Sequence, residues 1–132
     1  MPHLSFEYSS NLDERVSIPA FAGVLREAML STGLFELSAV RVRGVRCDAY
    51  AIADLRSANA FVDMSLRMGV GRSDGEKKQA GAGIFSAAAA FFASELATQN
   101  FALSLEIREI APSLSWKKNS IHTRIRPAAG NG

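Results

Sequence analysis

The chain has 132 residues, with 15 basic and 13 acidic side chains and a net charge of +2. That length predicts one domain that buries its own core without a metal or disulfide staple. Hydrophobic residues at 48% and charged residues at 21% exclude global disorder, and the small positive excess is no nucleic-acid footprint.

Residues 2–8 (PHLSFEY) place Leu4, Phe6 and Tyr8 on one side, the alternation of a strand, with Pro2 tolerated because it opens the strand. After the polar turn SSNLDE, Ser17 is an N-cap and Pro19 lies in the first turn of a helix, where its missing N–H matters little. Phe21, Val24, Leu25, Ala28 and Met29 repeat at helical spacing, and Gly33 stops that helix. The stretch LSAVRVRGVRC (37–47) predicts a second strand, with Val40 and Val42 on one face and Arg41 and Arg43 on the other. Gly44 marks a bulge or bend in it, and 47–59 is a connector with room for one helical turn.

AFVDMSLRMG (60–69) alternates as a third strand, and Ser73 and Glu76 have the spacing of a capping box that starts a long helix. Ile84, Phe85, Ala88, Phe91, Phe92 and Leu96 supply its apolar stripe, and ALSLEIREI (102–110) alternates as a fourth strand. The chain thus repeats a strand–helix–strand order, inferred from pattern because few letters match. A helical crossover makes the strands of each unit parallel, so the expected architecture is a four-stranded sheet with both helices on one face. The half-units span about 2–46 and 60–110, a C-terminal arm runs over 111–126, and SIHTRI in that arm reads as a short strand. Residues 127–132 (PAAGNG) read as a flexible tail.

Few residues carry chemistry. His3 and His122 are distant and unpaired in sequence, which leaves no metal site, and Cys47 lacks any partner that would activate it or pair with it. MPHLSFEYSS has no signal-peptide character and the most apolar stretch, 82–93, is too short to span a bilayer, so a cytoplasmic protein is expected. GVGR (69–72) before a capped helix is either an ordinary turn or an anion cradle, with Arg72 favouring the cradle. Arg41 and Arg43 on one strand face are either solvated or interface residues, or a carboxylate clamp. Pro2 is either incidental, since Met-Pro starts are common, or a general base without a side chain: removal of Met1 would expose a secondary amine titrating near neutrality, lowered further by burial or nearby arginines.

Together these residues resemble the tautomerase superfamily, and within it the 5-carboxymethyl-2-hydroxymuconate Δ-isomerases. The resemblance runs from residue 2 to about 126 and rests on MPH, STGLF (31–35), VRVR (40–43), AFVDMSLRMGVGRS (60–73), QAG (79–81), ALSLEI (102–107) and NSIH (119–122). It implies an α/β (α+β) fold of two fused β-α-β units with a four-stranded mixed sheet, assembled as a homotrimer that covers the open sheet face. It implies a cofactor-independent keto–enol isomerase of homoprotocatechuate (4-hydroxyphenylacetate) degradation acting on a small polycarboxylate dienol, with one site per subunit because position 60 is Ala60. Pro2 matches the catalytic base, Arg41 the arginine that holds a substrate carboxylate and steadies the dienolate oxygen, and Arg72 a second carboxylate-binding arginine. Arg43 has the right face for a supporting role. The segment 44–51 carries less aromatic character than the resemblance implies, with Arg46 and Tyr50 as partial replacements in a pocket wall.

Two other readings compete. A non-catalytic trimer could use the same arginines to bind a small carboxylate, and a tautomerase of this kind could take a different unsaturated keto acid. RNA binding through Arg41, Arg43 and Arg46 is disfavoured, since no RNP-like aromatics lie on that strand.

Overall fold

The alternation in each strand decides which of its faces is buried. The computed structural model describes residues 1–125. In β1 (His3–Ser9), Leu4, Phe6 and Tyr8 are buried while His3, Ser5 and Glu7 lie on the other face. β1 pairs in parallel with β2 (Arg41–Cys47) and antiparallel with β3 (Ala60–Gly69), which pairs in parallel with β4 (Phe101–Ile110). The strand order is therefore β2-β1-β3-β4, the expected mixed sheet.

Each parallel pair is joined by a helix, α1 (Ile18–Ser31) in the first unit and α2 (Asp74–Phe91) in the second, followed by a single turn, α3 (Ala93–Leu96). Ser17 Oγ accepts from the Ala20 N–H at 3.2 Å, and Gly33 follows the C-cap with φ +74°, a conformation glycine adopts without a Cβ clash. At α2 the capping box forms as read: Ser73 Oγ accepts from the Glu76 N–H at 3.1 Å and Glu76 Oε1 accepts from the Ser73 N–H at 3.0 Å. Phe21 joins the halves, its ring edge-on to Phe6 at 4.9 Å and to Phe92 at 4.7 Å. Among the described residues no helix is long and apolar enough to cross a membrane.

Several expectations fail locally. SIHTRI is a helix, α4 (Ser120–Ile125), not a strand: Asn119 Oδ1 accepts from the amides of Ile121 and His122 at 3.1 and 3.3 Å, and this cap stands where a strand would need a ladder partner. Gly44 makes no bulge, because the β1–β2 register is unbroken from His3↔Arg41 to Ser9↔Cys47. Its missing side chain instead admits the Phe6 ring, whose Cζ would lie 2.5 Å from a Cβ at position 44. Residues 37–39 turn as a 3-10 helix before β2 begins at Arg41. The connector after Cys47 holds no helical turn and bends through Ala53 and Leu55 at φ +49° and +67°. In the second helix Ile84, Ala88 and Phe92 are buried, but Phe85 and Leu96 are exposed; Phe85 is one residue, about 100° of helix, past Ile84. The PAAGNG tail lies outside the described residues.

Candidate active site

Pro2 enters β1 from one end of the sheet and is buried there. It lines a cavity of about 450 Å³ whose walls come from four places in the chain. Leu34, Phe35, Glu36 and Ala39 follow α1; Met68, Gly69, Val70 and Arg72 end β3; Lys117, Asn119 and His122 come from the C-terminal arm. The turn after β3 is possible because Gly71 takes φ +106°, and it sends Arg72 back across the cavity to donate to the Leu34 carbonyl at 2.7 Å. The arm is fastened from the other side: Asn119 Nδ2 donates to the Ser38 carbonyl at 2.9 Å, His122 Nδ1 and Ser38 Oγ share a hydrogen bond, and His122 Nε2 lies 3.4 Å from Glu36 Oε2.

A second cavity, about 760 Å³, adjoins the first on the open face of the sheet. His3, Arg41 and Arg67 line it from the strands, and Leu114, Trp116, Lys117 and Lys118 from the arm. Met1, Gly69, Val70 and Lys117 belong to both cavities, so they form the wall between them. Arg41 donates to the Ala39 carbonyl at 2.9 Å, which fixes its stem at the start of β2.

Charge collects around the amine end of the chain. Burial, the Lys117 ammonium within hydrogen-bonding reach and the more distant Arg41 hold the Met1 amine below its ordinary 8.0, in that order of weight. His3 is likewise held below 6.5 by burial first and then by Arg67, Arg43 and Arg41. That agrees with Arg43 donating to His3 Nδ1 at 3.3 Å, which requires an unprotonated nitrogen. Such a site favours a neutral amine and a polyanionic guest, the combination that proton transfer on a carboxylate-bearing substrate needs.

Of the residues singled out in the sequence, Pro2 and Arg72 share the first cavity, and Arg41 lines the second. Arg43 lines neither and reaches the second cavity only through His3. Arg46 is drawn away to Asp13 at 2.8 Å and Asp48 at 3.4 Å, and Tyr50 packs edge-on to Phe61, so neither walls the site within this chain. Cys47 is a free, half-buried thiol outside both cavities. Among the described residues no group of three His, Cys, Asp or Glu is placed to hold a metal ion. Lys117, Asn119 and His122 went unassigned in the sequence; the NSIH block was the one signal pointing at the last two.

Comparison with known proteins agrees over nearly the whole chain. The profile of the 5-carboxymethyl-2-hydroxymuconate isomerase family matches residues 2–125. A 5-carboxymethyl-2-hydroxymuconate Delta-isomerase of Escherichia coli is 34% identical over 126 residues, covering 96% of this chain and 100% of that protein. The crystal structure of a 5-carboxymethyl-2-hydroxymuconate isomerase from Deinococcus radiodurans R1 superposes with a TM-score of 0.87 at 38% identity, over 95% of this chain and 94% of that one. A fused 4-OT described as a symmetric trimer shares the fold alone, with a TM-score of 0.65 at 18% identity over 88% and 93% of the two chains. With the buried proline and its cationic rim, these matches converge: the chain belongs to the 5-carboxymethyl-2-hydroxymuconate isomerase family.

Proposed function

We propose that the chain isomerises 5-carboxymethyl-2-hydroxymuconate in homoprotocatechuate degradation, without a cofactor, using Pro2 as general base once Met1 is removed. The observation that carries this reading is Pro2 itself, buried in the wall of the cavity that Arg72 also lines, next to a second cavity lined by Arg41. Met1 stands in the wall between those cavities, so its removal would both free the proline nitrogen and join the two spaces.

The chemistry follows from that geometry. The neutral proline amine takes the proton of the 2-hydroxyl; the O–H electron pair becomes the C2=O double bond and the diene shifts. The resulting ammonium returns the proton to a carbon at the far end, giving the keto tautomer with no net change in atoms or charge. Arg41 holds a substrate carboxylate and offsets negative charge developing on the dienolate oxygen, and Arg72 holds a second carboxylate. Arg43 supports the first of these through its hydrogen bond to His3. The same cations disfavour the protonated form of that amine.

The reading extends to a cytoplasmic homotrimer, with residues 1–126 acting as one domain of two half-units and an arm. Exposed Leu114 and Trp116, at 74% and 86%, on an arm beside an uncovered sheet face, support an assembly that buries them. Sedimentation would return three times the chain mass; a monomer at assay concentration would contradict the trimer. Intact mass of the mature chain combined with a dienol ketonisation assay tests the mechanism. Full activity in protein that retains Met1 would sink it.

A further inference from the structure

The arginines that line the cavities are divided between them, Arg72 in one and Arg41 and Arg67 in the other, and Arg72 and Arg41 are each already turned onto a main-chain carbonyl. Among the described residues, Lys117 is the one cationic side chain that borders both. It lies close to the Met1 amine and is itself exposed at the end of a long side chain. With one carboxylate of a three-carboxylate substrate held by Arg72 in the first cavity and one by Arg41 in the second, the third falls to a cation that borders both spaces, as Arg67 and Lys118, confined to the second, do not. The carbon that receives the proton in forming the α,β-unsaturated ketone is carbon 5, which also bears the carboxymethyl group. Proton delivery from the Pro2 nitrogen therefore sets that carbon in the first cavity, which Lys117 also lines, and the carboxymethyl carboxylate can swing on its methylene to that ammonium. A flexible ammonium suits this position, since it can follow a carboxylate on a rotatable methylene.

On the isomerase reading above, we infer that Lys117 is a specificity-determining residue, which binds the carboxymethyl carboxylate of the substrate between the two cavities. Arg72, Glu36 and His122 line the first cavity with Lys117; His3, Arg41, Arg67 and Lys118 line the second. None of these borders both spaces. The inference makes a separable statement about substrates: Lys117 matters for the tricarboxylate and little for the same dienol lacking the carboxymethyl arm.

The test uses the mature full chain with Lys117→Met and Lys117→Arg, assayed on 5-carboxymethyl-2-hydroxymuconate and on 2-hydroxymuconate. Lys117→Met should raise KM for the tricarboxylate about tenfold or more and change that for 2-hydroxymuconate less than about twofold, and Lys117→Arg should restore most of the loss. Removing the ammonium should also move the acid limb of the kcat/KM profile to higher pH, because the amine becomes easier to protonate. An equal loss on both substrates, or none on either, would overturn the assignment. A wild-type chain that turns over neither dienol would instead refute the isomerase reading. In that event calorimetry with propane-1,2,3-tricarboxylate and glutarate still decides the question of Lys117. Selective weakening of the tricarboxylate by Lys117→Met supports the site, and equal affinities in wild type and variant refute it.

Discussion

The two ends of the sheet are repeats of one another, yet one is open and the other sealed. Antiparallel pairing of β1 with β3 puts the start of each half-unit at opposite ends. Setting Pro2 against Ala60 aligns the register pair His3–Arg41 with Phe61–Ala102, so the second unit lacks the arginine as well as the proline. At the second end the Ala60 N–H donates to the Asn100 carbonyl at 2.8 Å, and the connector before it folds over the opening. Asn11 Nδ2 donates to the Asn59 carbonyl at 2.8 Å, Asn59 Nδ2 donates to Asp54 Oδ1 at 2.8 Å, and Arg15 donates to the Ala58 carbonyl at 3.1 Å. The lesson is that one backbone supports both outcomes. An internal amide has its lone pair delocalised and cannot act as a base, whereas an N-terminal amine can. The arm that lines the first end has its counterpart in a loop that plugs the second.

The sharpest way to break this contrast is at Pro2. Pro2→Ala should lower kcat for dienol ketonisation by about 10²–10⁴-fold while leaving the thermal midpoint nearly unchanged. In protein that retains Met1 the terminal amine, followed by NMR, should titrate with an inflection below 8.0, since burial and Lys117 disfavour its charged form. An inflection at or above that value would contradict the cationic site. Arg72→Ala comes next, with kcat/KM reduced by roughly ten- to a hundredfold through loss of a charge-assisted carboxylate contact. Steady-state kinetics showing less than a twofold change would remove Arg72 from the site.

Two stability measurements extend the comparison away from the chemistry. In the first unit Phe6 faces Gly44 across the β1–β2 ladder, while in the second Met64 faces Leu105. Gly44→Ala should therefore cost about 1–3 kcal/mol by overpacking against the Phe6 ring, read from urea unfolding, with kcat preserved in the folded fraction. Ala60→Pro should cost about 1 kcal/mol for the lost hydrogen bond to Asn100, and in a Pro2→Ala background it should restore no activity. Recovered turnover in that double variant would show that a proline at the second end suffices, against the argument from the amide.

Much of the scaffold was legible because it rests on local rules. Ser17, Gly33, Ser73 and Glu76 act within a turn of their own position, and strand alternation at Leu4, Phe6 and Tyr8 needs only a period of two. Errors arose where a distant partner decides. Phe85 fits a generous helical stripe, but the core narrows to Ile84, Ala88 and Phe92. SIHTRI has strand-like composition, but Asn119 caps it as a helix and Ser38 anchors it. Gly44 looks like punctuation until the Phe6 ring is seen lying against it.

For the site, residue types alone left Pro2, Arg41 and Arg72 open between incidental and functional readings, and it was their resemblance to the motifs of a known family that singled them out. The sequence by itself determined a doubled strand–helix–strand chain, the ends of its helices and a proline poised at its start. Only the tertiary structure decided that Arg72 and Arg41 line adjoining cavities, that Arg43 lies outside both against His3, and that the arm brings Lys117 and His122 to the wall. The physical reason is separation along the chain. Residues 2, 41, 72 and 117 meet only when β-pairing and a capped terminal helix bring four remote segments together, and no periodicity in the sequence encodes that meeting.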